Sequence, residues 1–524
     1  MADQDENQLV ADLRRPENLP GPADEVEFIS THISLVFRTS TAVFKIKRAK
    51  NYGFLDYSTK EARERFCRAE VTLNRRLAPD VYLDVLPVHR DARGYSLTRP
   101  GDVVNHAVHM KRLPDDRSAL SLLQRGALLP AHLERLADRL TRFYRAEKAR
   151  PETSDNLRAS VEENFEQLRP FIGRFVSDRL LGELESLQKE WLARSTSLLA
   201  SRLSRDGHGD LRLEHVYLMP EGPIAIDCIE FLDRFRIADP ALDVAFLAMD
   251  LARNGRRDLG EFFLGRFAYE SDDYDFFPLA DGYVSYRACV RAKVACFLVA
   301  DPSTPPDRAR SKEREAREYF ELALVLARGR PARPVVFAVG GVVGSGKTTI
   351  AEQLSRSTGA PLISADATRK FLAGIPREEK GPASIYSAAF STRVRDELLR
   401  RGARVLESGR SVILDTTFVS RDYRRHAREL AGRFGAAFLF VECQAPESVI
   451  RERLRRRTGG LSDAREDLLE RFLRAREPAT ELPPEEHLVV DTTRSAEEAV
   501  TEILARAESL TTQRGYPPER LSDA

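Results

Sequence analysis

The stretch from Val335 to Ile350, VVFAVGGVVGSGKTTI, constrains the fold of this 524-residue chain more than any other. An unbroken apolar run, Val335 to Val339, leads into a glycine cluster and then into an amphipathic segment, IAEQLSRS. A buried strand, a tight turn and a helix account for this order. The sequence therefore predicts the unit from which parallel sheets covered by helices are built.

The glycine cluster fits the pattern G-x-x-x-x-G-K-[ST] from Gly341 to Thr348. Glycines let backbone N–H groups close on phosphate oxygens, and the start of the helix adds the positive end of its dipole. Lys347 can then reach the β- and γ-phosphates of ATP, while the Thr348 hydroxyl can hold Mg²⁺. The alternative, a glycine-rich turn that binds nothing, is weak because a strand and a helix flank the loop. The residues predicted to contact ATP here are Gly341, Gly344, Ser345, Gly346, Lys347, Thr348 and Thr349.

Composition narrows the remaining function classes. At 524 residues the chain exceeds one ordinary core, so two or three domains are expected. Lys and Arg number 82 against 81 Asp and Glu, so the net charge is +1 and nucleic-acid binding is disfavoured. Apolar runs are shorter than the roughly 20 residues of a bilayer helix, and no apolar secretory segment is seen at the N-terminus. Five scattered cysteines favour a cytoplasmic protein; no oligomeric state is indicated.

A second nucleotide-binding pattern lies in the N-terminal half. Ile33 to Arg48 reads as two strands joined by a Thr/Ser turn, with Lys45 on the second strand. A helical stretch, KEARERFCRAEVTLNRRLA, then carries Glu70 near its middle. Kinases pair a strand lysine with a helix glutamate about 25 residues later, so that the lysine is held against the α- and β-phosphates. We therefore expect Lys45 and Glu70 to form such a pair.

Two aspartates farther along suit phosphoryl transfer. Ser204 to Leu218 reads SRDGHGDLRLEHVYL, and the strand PIAID follows it. In kinases, one loop aspartate accepts the proton of the acceptor hydroxyl and another, after a short hairpin, binds the metal. Asp210 and Asp227 suit these roles. The alternative makes Asp210 a turn residue and Asp227 a helix cap.

The segments HGDLRLEH and IAIDCIEF resemble the aminoglycoside phosphotransferase superfamily, which shares the two-lobed protein-kinase-like fold and includes choline kinases. The resemblance covers about Glu27 to Leu326, and it is closer to a bacterial group that fuses such a domain to a P-loop kinase. It implies that Lys45 and Glu70 hold the nucleotide. It also implies that Asp210 is the catalytic base and Asp227 a metal ligand.

One position departs from that pattern. The family has a metal-binding asparagine five residues after the base, whereas this chain has His215. Imidazole is a poor partner for Mg²⁺, which prefers oxygen ligands. The second metal is therefore lost or weakly held at His215, or another group supplies it. By the same resemblance, Asp243 would be a structural support.

The C-terminal half alternates apolar runs, PLISAD, SVILDTT, AAFLFVEC and HLVVDTT, with helical segments. This order predicts a parallel sheet with ligands at the carboxyl ends of its strands. Asp415 fits the Walker B role of orienting Mg²⁺. Asp366 lies where related small P-loop kinases place the carboxylate that activates the acceptor hydroxyl, and Arg369 could hold an anionic acceptor. The alternative for Asp366 is a helix N-cap.

A cluster of arginines lies between Glu447 and Phe472, a stretch that reads as helix, glycine turn and second helix. It resembles the lid of small P-loop kinases, and Arg453 and Arg457 are predicted to close over the triphosphate. A solvated helix face or a nucleic-acid contact is the alternative, although base-stacking aromatics are sparse there.

The predicted domains are a polar lead-in over 1–26, an aminoglycoside phosphotransferase-like domain over 27–330, a P-loop kinase domain over 331–510 and a disordered tail over 511–524. The predicted fold class is α+β followed by α/β: a two-lobed protein-kinase-like domain, then a P-loop parallel sheet wrapped by helices. The boundary near Arg330 follows from the proline- and arginine-rich composition of ARGRPARP.

The acidic segment from Tyr269 to Asp275 is expected to be a solvated loop rather than a cation site.

Together these patterns predict an ATP-dependent phosphotransferase whose two domains transfer the γ-phosphoryl group to hydroxyl groups of small molecules, with Mg²⁺ as cofactor. Two alternatives remain open. The N-terminal domain could be a pseudokinase that senses a nucleotide or metabolite, or the C-terminal domain could act on nucleic acid or peptide.

Overall fold

The computed structural model describes residues 3–22, 25–51, 55–151, 154–302, 304–330, 332–456 and 466–512. The chain forms two compact units. The first unit comprises Met1–Ser177, Thr196–Asp250 and Val290–Glu318, and the second unit comprises Asp178–Ser195, Leu251–Cys289 and Tyr319–Ala524. Within the described ranges, none of the helices combines the length and apolar character needed to cross a membrane.

An antiparallel sheet opens the first unit. Its strands are β1 Glu27–Ser30, β2 Ser34–Arg38, β3 Ala42–Lys47, β4 Tyr82–Asp91, β5 Gly94–Ser96 and β6 Asp102–Lys111, in the spatial order β1-β2-β3-β6-β4-β5. The two predicted strands between Ile33 and Arg48 are thus confirmed. A helix that the sequence did not indicate, α1 Asp3–Leu13, buries Leu9 and Leu13 in the core of this sheet.

The helix that carries Glu70 is also present, as α2 Lys60–Asn74. The Thr59 side chain caps its start by accepting a hydrogen bond from the Ala62 N–H. Its buried face includes Cys67 and Val71, which share an apolar cluster with Val108 of β6. This packing fixes the helix against the sheet and directs Glu70 toward β3.

The remaining elements up to residue 327 are mainly helical. The helices are α3 Ala119–Gln124, α4 Pro130–Ala146, α5 Ser154–Leu168, α6 Asp178–Ala200, α7 Asp233–Arg236, α8 Pro240–Arg253, α9 Arg257–Ser271, α10 Phe277–Ala300 and α11 Pro306–Ala327. The short strands are β7 Arg150–Pro151, β8 Leu203–Asp206, β9 Val216–Met219, β10 Gly222–Ala225 and β11 Ile237–Ala238. Strands β9 and β10 form an antiparallel hairpin, so Asp227 lies two residues beyond its end.

A five-stranded parallel sheet forms the core of the second unit. Its strands are β12 Val335–Gly340, β13 Leu362–Ser364, β14 Val412–Asp415, β15 Ala437–Gln444 and β16 His487–Asp491, in the order β13-β14-β12-β15-β16. Its helices are α12 Lys347–Thr358, α13 Ala365–Leu372, α14 Ala388–Glu407, α15 Arg421–Arg433, α16 Glu447–Arg456, α17 Glu466–Ala475 and α18 Ala496–Thr512. All residues of β12 and β14 are buried, as expected for strands covered on both faces. The predicted fold class is confirmed.

The acidic segment from Tyr269 to Asp275 is not a solvated loop, so that prediction was wrong. Tyr269 and Tyr274 are buried, and the Tyr274 hydroxyl donates to the carbonyl oxygen of Leu362 over 2.7 Å. Asp272 forms ion pairs with Arg401 at 3.2 Å and with Arg377 at 3.0 Å. The segment belongs to the second unit, where Arg401 and Arg377 neutralise the Asp272 carboxylate.

Of the predicted tail over 511–524, the structure describes only residues 511 and 512. Residues 513–524 lie outside the described residues.

Candidate functional site

The first unit brings Lys45 and Glu70 together as the sequence predicted. The Lys45 ammonium donates to Glu70 Oε1 over 2.9 Å and also pairs with Asp227 Oδ1. Burial opposes the charge of Lys45, but the two carboxylates raise its pKa well above the usual value. A strand lysine, a helix glutamate and a loop aspartate therefore converge at one point. Their role toward a nucleotide stays a prediction.

A second lysine, which the sequence did not single out, completes this cluster. Lys47 is 1% exposed and donates to Glu70 Oε2 over 2.6 Å. It also pairs with Glu230, whose carboxylate accepts a hydrogen bond from the Tyr57 hydroxyl. Burial opposes the charge of Lys47, and the carboxylates, Glu230 foremost, raise its pKa well above the usual value. The sequence pattern that could have identified Lys47 is its two-residue spacing from Lys45, which puts both lysines on one face of β3.

The backbone of Asp227 adopts φ 65°, in the left-handed region. Few non-glycine residues adopt this conformation, and those that do cluster at functional sites. The Asp227 N–H donates to the Tyr82 hydroxyl over 3.0 Å, and Oδ2 lies 3.6 Å from His215 Nε2. Burial opposes the charge of Asp227, but Lys45 outweighs it and holds the pKa of this carboxyl well below its usual range.

Asp210 carries an arginine partner that the sequence did not predict. Arg212 Nε donates to one carboxylate oxygen over 2.9 Å and Nη2 donates to the other over 3.0 Å. Burial opposes the charge of Asp210, but Arg212 holds the pKa of its carboxyl well below the usual range. His215 lies on the same loop, with Nδ1 2.8 Å from the Asp210 carbonyl oxygen.

Asp243 supports this loop, as the resemblance implied. Its carboxylate accepts the backbone N–H of His208 over 2.6 Å and that of Gly209 over 2.9 Å. The Tyr144 hydroxyl donates to it as well, over 2.8 Å. Asp243 is buried in α8, so these bonds anchor the loop that presents Asp210.

The phosphate-binding loop of the second unit has the backbone that its motif predicts. Gly341, Gly344 and Gly346 have φ 144°, 78° and 90°, which side-chain-bearing residues rarely adopt. A Cβ added to Gly341 would lie 2.5 Å from Ser345 Oγ and 2.6 Å from a backbone oxygen. Gly346 is the N-cap of α12, so Lys347, Thr348 and Thr349 occupy the first turn of that helix.

Asp415 ends β14 directly beside this turn. Its Oδ2 accepts the Thr348 hydroxyl over 2.9 Å, whereas Oδ1 is buried with no hydrogen-bond partner in the described part of the chain. Burial raises the pKa of Asp415 to about 6. The Ser345 hydroxyl is also buried and unpartnered there. Unpaired oxygens are what hard cations such as Mg²⁺ require, so this donor set fits the ion.

Asp366 and Arg369 lie on α13. Ser364 caps this helix through its hydroxyl, which accepts from the Ala367 N–H, so the alternative that made Asp366 the N-cap was wrong. Asp366 is partly exposed in the first turn, and its negative charge contributes to the raised pKa of Asp415. The two carboxylates are therefore neighbours at one end of the sheet.

Arg369 is held beside Asp366 by a short turn, Ala383–Tyr386, and by α14. Nη1 donates to the Ile385 carbonyl oxygen over 2.6 Å and to Ser391 Oγ over 3.2 Å, and the guanidinium lies over the Tyr386 ring. Nε is buried without a partner in the described residues. Burial lowers the pKa of Arg369. Arg369 thus keeps one buried N–H that the described residues leave without an acceptor.

Arg453 reaches the phosphate-binding loop through Thr492. Its Nη1 donates to Thr492 Oγ1 over 3.0 Å and its Nη2 to the Thr492 carbonyl oxygen over 2.7 Å. Thr492 in turn donates to the Ser345 carbonyl oxygen over 2.6 Å. The sequence did not single out Thr492, although it lies near the end of a predicted strand, HLVVDTT. Arg457, the other predicted lid arginine, lies outside the described residues.

Comparison with known proteins places these features in a family. The uncharacterized protein Rv2004c of Mycobacterium tuberculosis is 33% identical over 461 residues, which cover 84% of this chain and 89% of that protein. This chain belongs to the same family. The uncharacterized protein Mb2027c of Mycobacterium bovis matches with the same figures. Residues 336–479 match the family model of an AAA domain, and this range contains the phosphate-binding loop, which supports the predicted resemblance of the C-terminal half to P-loop proteins.

Solved structures similar to parts of the chain include two kinases. A gluconokinase from Sinorhizobium meliloti is 28% identical, covers 35% of this chain and 99% of its own, and has a TM-score of 0.27. A choline/ethanolamine kinase family protein from Mesorhizobium loti is 14% identical, covers 62% of this chain and 98% of its own, and has a TM-score of 0.37.

Proposed function

We propose that this protein is an ATP-dependent phosphotransferase whose two kinase-type domains transfer the γ-phosphoryl group to hydroxyl groups of small molecules. The observation that carries the proposal is the buried, unpartnered Oδ1 of Asp415 beside Thr348 in a complete phosphate-binding loop. A buried carboxylate oxygen without a hydrogen-bond partner lowers the stability of the folded protein unless a cation binds to it. We place the protein in the cytoplasm, because its five cysteines are buried and form no disulfide.

In the second unit, the loop amides and Lys347 would bind the phosphates of ATP. Thr348 and Asp415 would hold Mg²⁺, which when bound neutralises phosphate charge. Asp366 would accept the proton of the acceptor hydroxyl group. The oxygen of that hydroxyl group would then form a bond to the γ-phosphorus, while the bond between the γ-phosphorus and the bridging oxygen breaks and ADP leaves. Arg369 would position an anionic part of the acceptor, and Arg453 would offset charge on the phosphates.

In the first unit, Glu70 would hold Lys45 in place, Lys45 would bind the α- and β-phosphates, and Asp227 would provide the metal ligand. Asp210 would accept the proton from a hydroxyl acceptor. Arg212 already donates one hydrogen bond to each of its two oxygens, so Asp210 would accept the proton on a lone pair that Arg212 leaves unused.

The pairing of Asp210 with Arg212 favours a second candidate function for the first unit, that of a nucleotide sensor without transfer activity. Arg212 stabilises the ionised carboxylate of Asp210 and thereby weakens it as a base. His215 in place of an oxygen ligand points the same way. The sensor would still bind ATP through Lys45 and Glu70.

A factorial experiment on the full-length chain tests both candidates. Wild type, Lys347→Ala, Asp210→Asn and the double variant are incubated with [γ-³³P]ATP and a panel of hydroxylated metabolites, and labelled products are counted. Lys380→Ala, an exposed lysine of the second unit, is the matched control for Lys347→Ala. We expect Lys347→Ala to lower the amount of the labelled products made by the second unit by at least about 100-fold. We expect Asp210→Asn to remove the labelled products made by the first unit. Transfer that survives in the double variant would refute the proposal, and loss of all products in Lys347→Ala alone would support the sensor.

A further inference from the structure

Arg212 is a fixed cation at the centre of the first-unit site. Its side chain is 13% exposed, and it contacts both oxygens of Asp210, the Glu214 carboxylate and His215 Nε2, the last at 3.2 Å. No proposed step in the first unit uses this charge. A guanidinium remains charged throughout the physiological pH range, so it acts as a permanent positive group.

The contacts of His215 determine which of its nitrogens carries the proton. A carbonyl oxygen only accepts hydrogen bonds, so Nδ1, 2.8 Å from the Asp210 carbonyl oxygen, must donate. A guanidinium only donates, so Nε2 accepts from Arg212. The lone pair of Nε2 is thus engaged with Arg212 although the nitrogen lies 3.6 Å from Asp227 Oδ2.

A second divalent ion does not fit this arrangement. In protein kinases, two ions are held by the hairpin aspartate and by an asparagine of the catalytic loop. Here the equivalent loop position offers an imidazole nitrogen that is already occupied, and an arginine stands next to it. A divalent cation in contact with both His215 and Asp227 would have to displace the Arg212 guanidinium from His215 Nε2, where it lies at 3.2 Å.

We propose that Arg212 replaces the second ion, so that the first unit binds ATP with a single divalent cation held by Asp227. This inference rests on the proposed function of the first unit. Arg212 acts as a positioning residue: it orients Asp210 and supplies the charge that a second ion would supply to the phosphates. His215 serves as its hydrogen-bond acceptor and not as a metal ligand.

The test counts bound Mn²⁺ by electron paramagnetic resonance in the full-length chain, with the non-hydrolysable ATP analogue AMP-PNP. Lys347→Ala and Asp415→Asn are introduced together to remove the loop lysine and the metal carboxylate of the second unit. In this background we expect one Mn²⁺ per bound analogue. His215→Asn should leave the ratio at one, because Arg212 still occupies the space. Arg212→Met together with His215→Asn should raise it to two.

Arg142→Met is the matched control, because Arg142 is 68% exposed on α4 of the same unit, and its ratio should stay at one. A ratio of two in the background, or of one in the Arg212→Met/His215→Asn variant, would overturn the inference while leaving nucleotide binding intact. If no analogue binds, the proposed nucleotide site itself fails and the inference falls with it. If the Arg212→Met/His215→Asn variant does not fold, as judged by circular dichroism, the result for His215→Asn alone decides. One Mn²⁺ per bound analogue in that variant supports the inference, and two Mn²⁺ per bound analogue overturn it.

Discussion

Thr348 donates its hydroxyl to one oxygen of Asp415 over 2.9 Å, and the other oxygen of Asp415 is buried without a protein donor in the described residues. Burial raises the pKa of Asp415 to about 6, and Lys347 and the Thr348 hydroxyl offset that effect only in part. In the ligand-free protein, ionisation of this carboxyl group therefore costs more free energy than it does in water. A site built for a cation has this property, because the cation removes the cost when it binds.

The first prediction is that Asp415→Asn stabilises the ligand-free protein at pH 7.5. The folded pKa of about 6 lies above the unfolded value of about 3.9. The folded state thus binds the proton more readily, and the cost of ionisation is absent below pH 4, grows between pH 4 and 6 and is complete above pH 6. A shift of about two pKa units corresponds to about 3 kcal/mol.

Differential scanning calorimetry of the full-length chain, with EDTA and without nucleotide, measures this gain. Asp396→Asn, an exposed aspartate on α14, is the matched control and should change nothing. An unchanged transition at pH 7.5, or an equal gain at pH 4, would show that Asp415 is not a buried charge in the folded protein.

The second prediction concerns the buried lysine of the first unit. Lys47→Met should destabilise the first unit by about 3 to 5 kcal/mol, because it leaves Glu230 with a buried charge and removes one of the two lysines on Glu70. Adding Glu230→Gln should recover most of the loss, since the unpaired carboxylate is then gone. Urea unfolding of the two single variants and the double variant gives the coupling energy.

Lys111→Met serves as the control for this cycle, because Lys111 is exposed at the end of β6. If Lys47→Met and Glu230→Gln destabilise additively, the two residues do not form the coupled pair seen in the structure.

Sequence patterns predicted the parts of both sites that local rules determine. The phosphate-binding loop requires glycines at fixed positions within one short segment, so a motif of eight residues was enough to identify Lys347 and Thr348. Lys45 and Glu70 were found because a strand and the helix after it lie at a regular spacing. In each case the spacing along the chain fixes the spacing in three dimensions.

Other contacts depend on tertiary packing, which no local pattern records. The sequence did not single out Lys47, because its partner Glu230 lies far along the chain. The acidic segment around Asp272 resembled a surface loop because its arginine partners lie more than 100 residues away. Arg212 was near Asp210 in sequence, yet its side-chain direction could not be inferred from spacing alone.

The third prediction tests the buried ion pairs of the second unit. Glu261 accepts from Arg410 over 2.7 Å and pairs with Arg330, whereas Asp281 binds the same two arginines. Burial opposes the charge of Glu261, but Arg410 and Arg330 lower its pKa. A lowered pKa means that the stabilisation is present above about pH 4.3 and is lost as pH falls through the folded value.

Glu261→Gln should therefore lower the stability of the second unit at pH 7 by about 3 kcal/mol, and the difference from wild type should shrink as the pH falls below 4. Thermal unfolding across this pH range measures both effects. Asp258→Asn is the control, since Asp258 is 56% exposed on the same helix and pairs with Arg256. A destabilisation that is independent of pH would indicate a packing defect instead of a lost ion pair.

The fourth prediction concerns Arg453, whose guanidinium contacts Thr492 and lies 3.3 Å from the position that a Cβ on Gly346 would occupy. Charge-assisted hydrogen bonds contribute about 1.5 to 3 kcal/mol, so Arg453→Met should raise the KM for ATP of the second unit by roughly 10- to 100-fold. The measurement uses the full-length chain carrying Asp210→Asn, so that only the second unit turns over ATP. Arg456→Met is the matched control, because Arg456 lies one turn along α16, is 81% exposed and pairs with Glu452. If the two variants have the same KM, Arg453 does not act on the nucleotide and its contacts with Thr492 serve only to fix the end of β16.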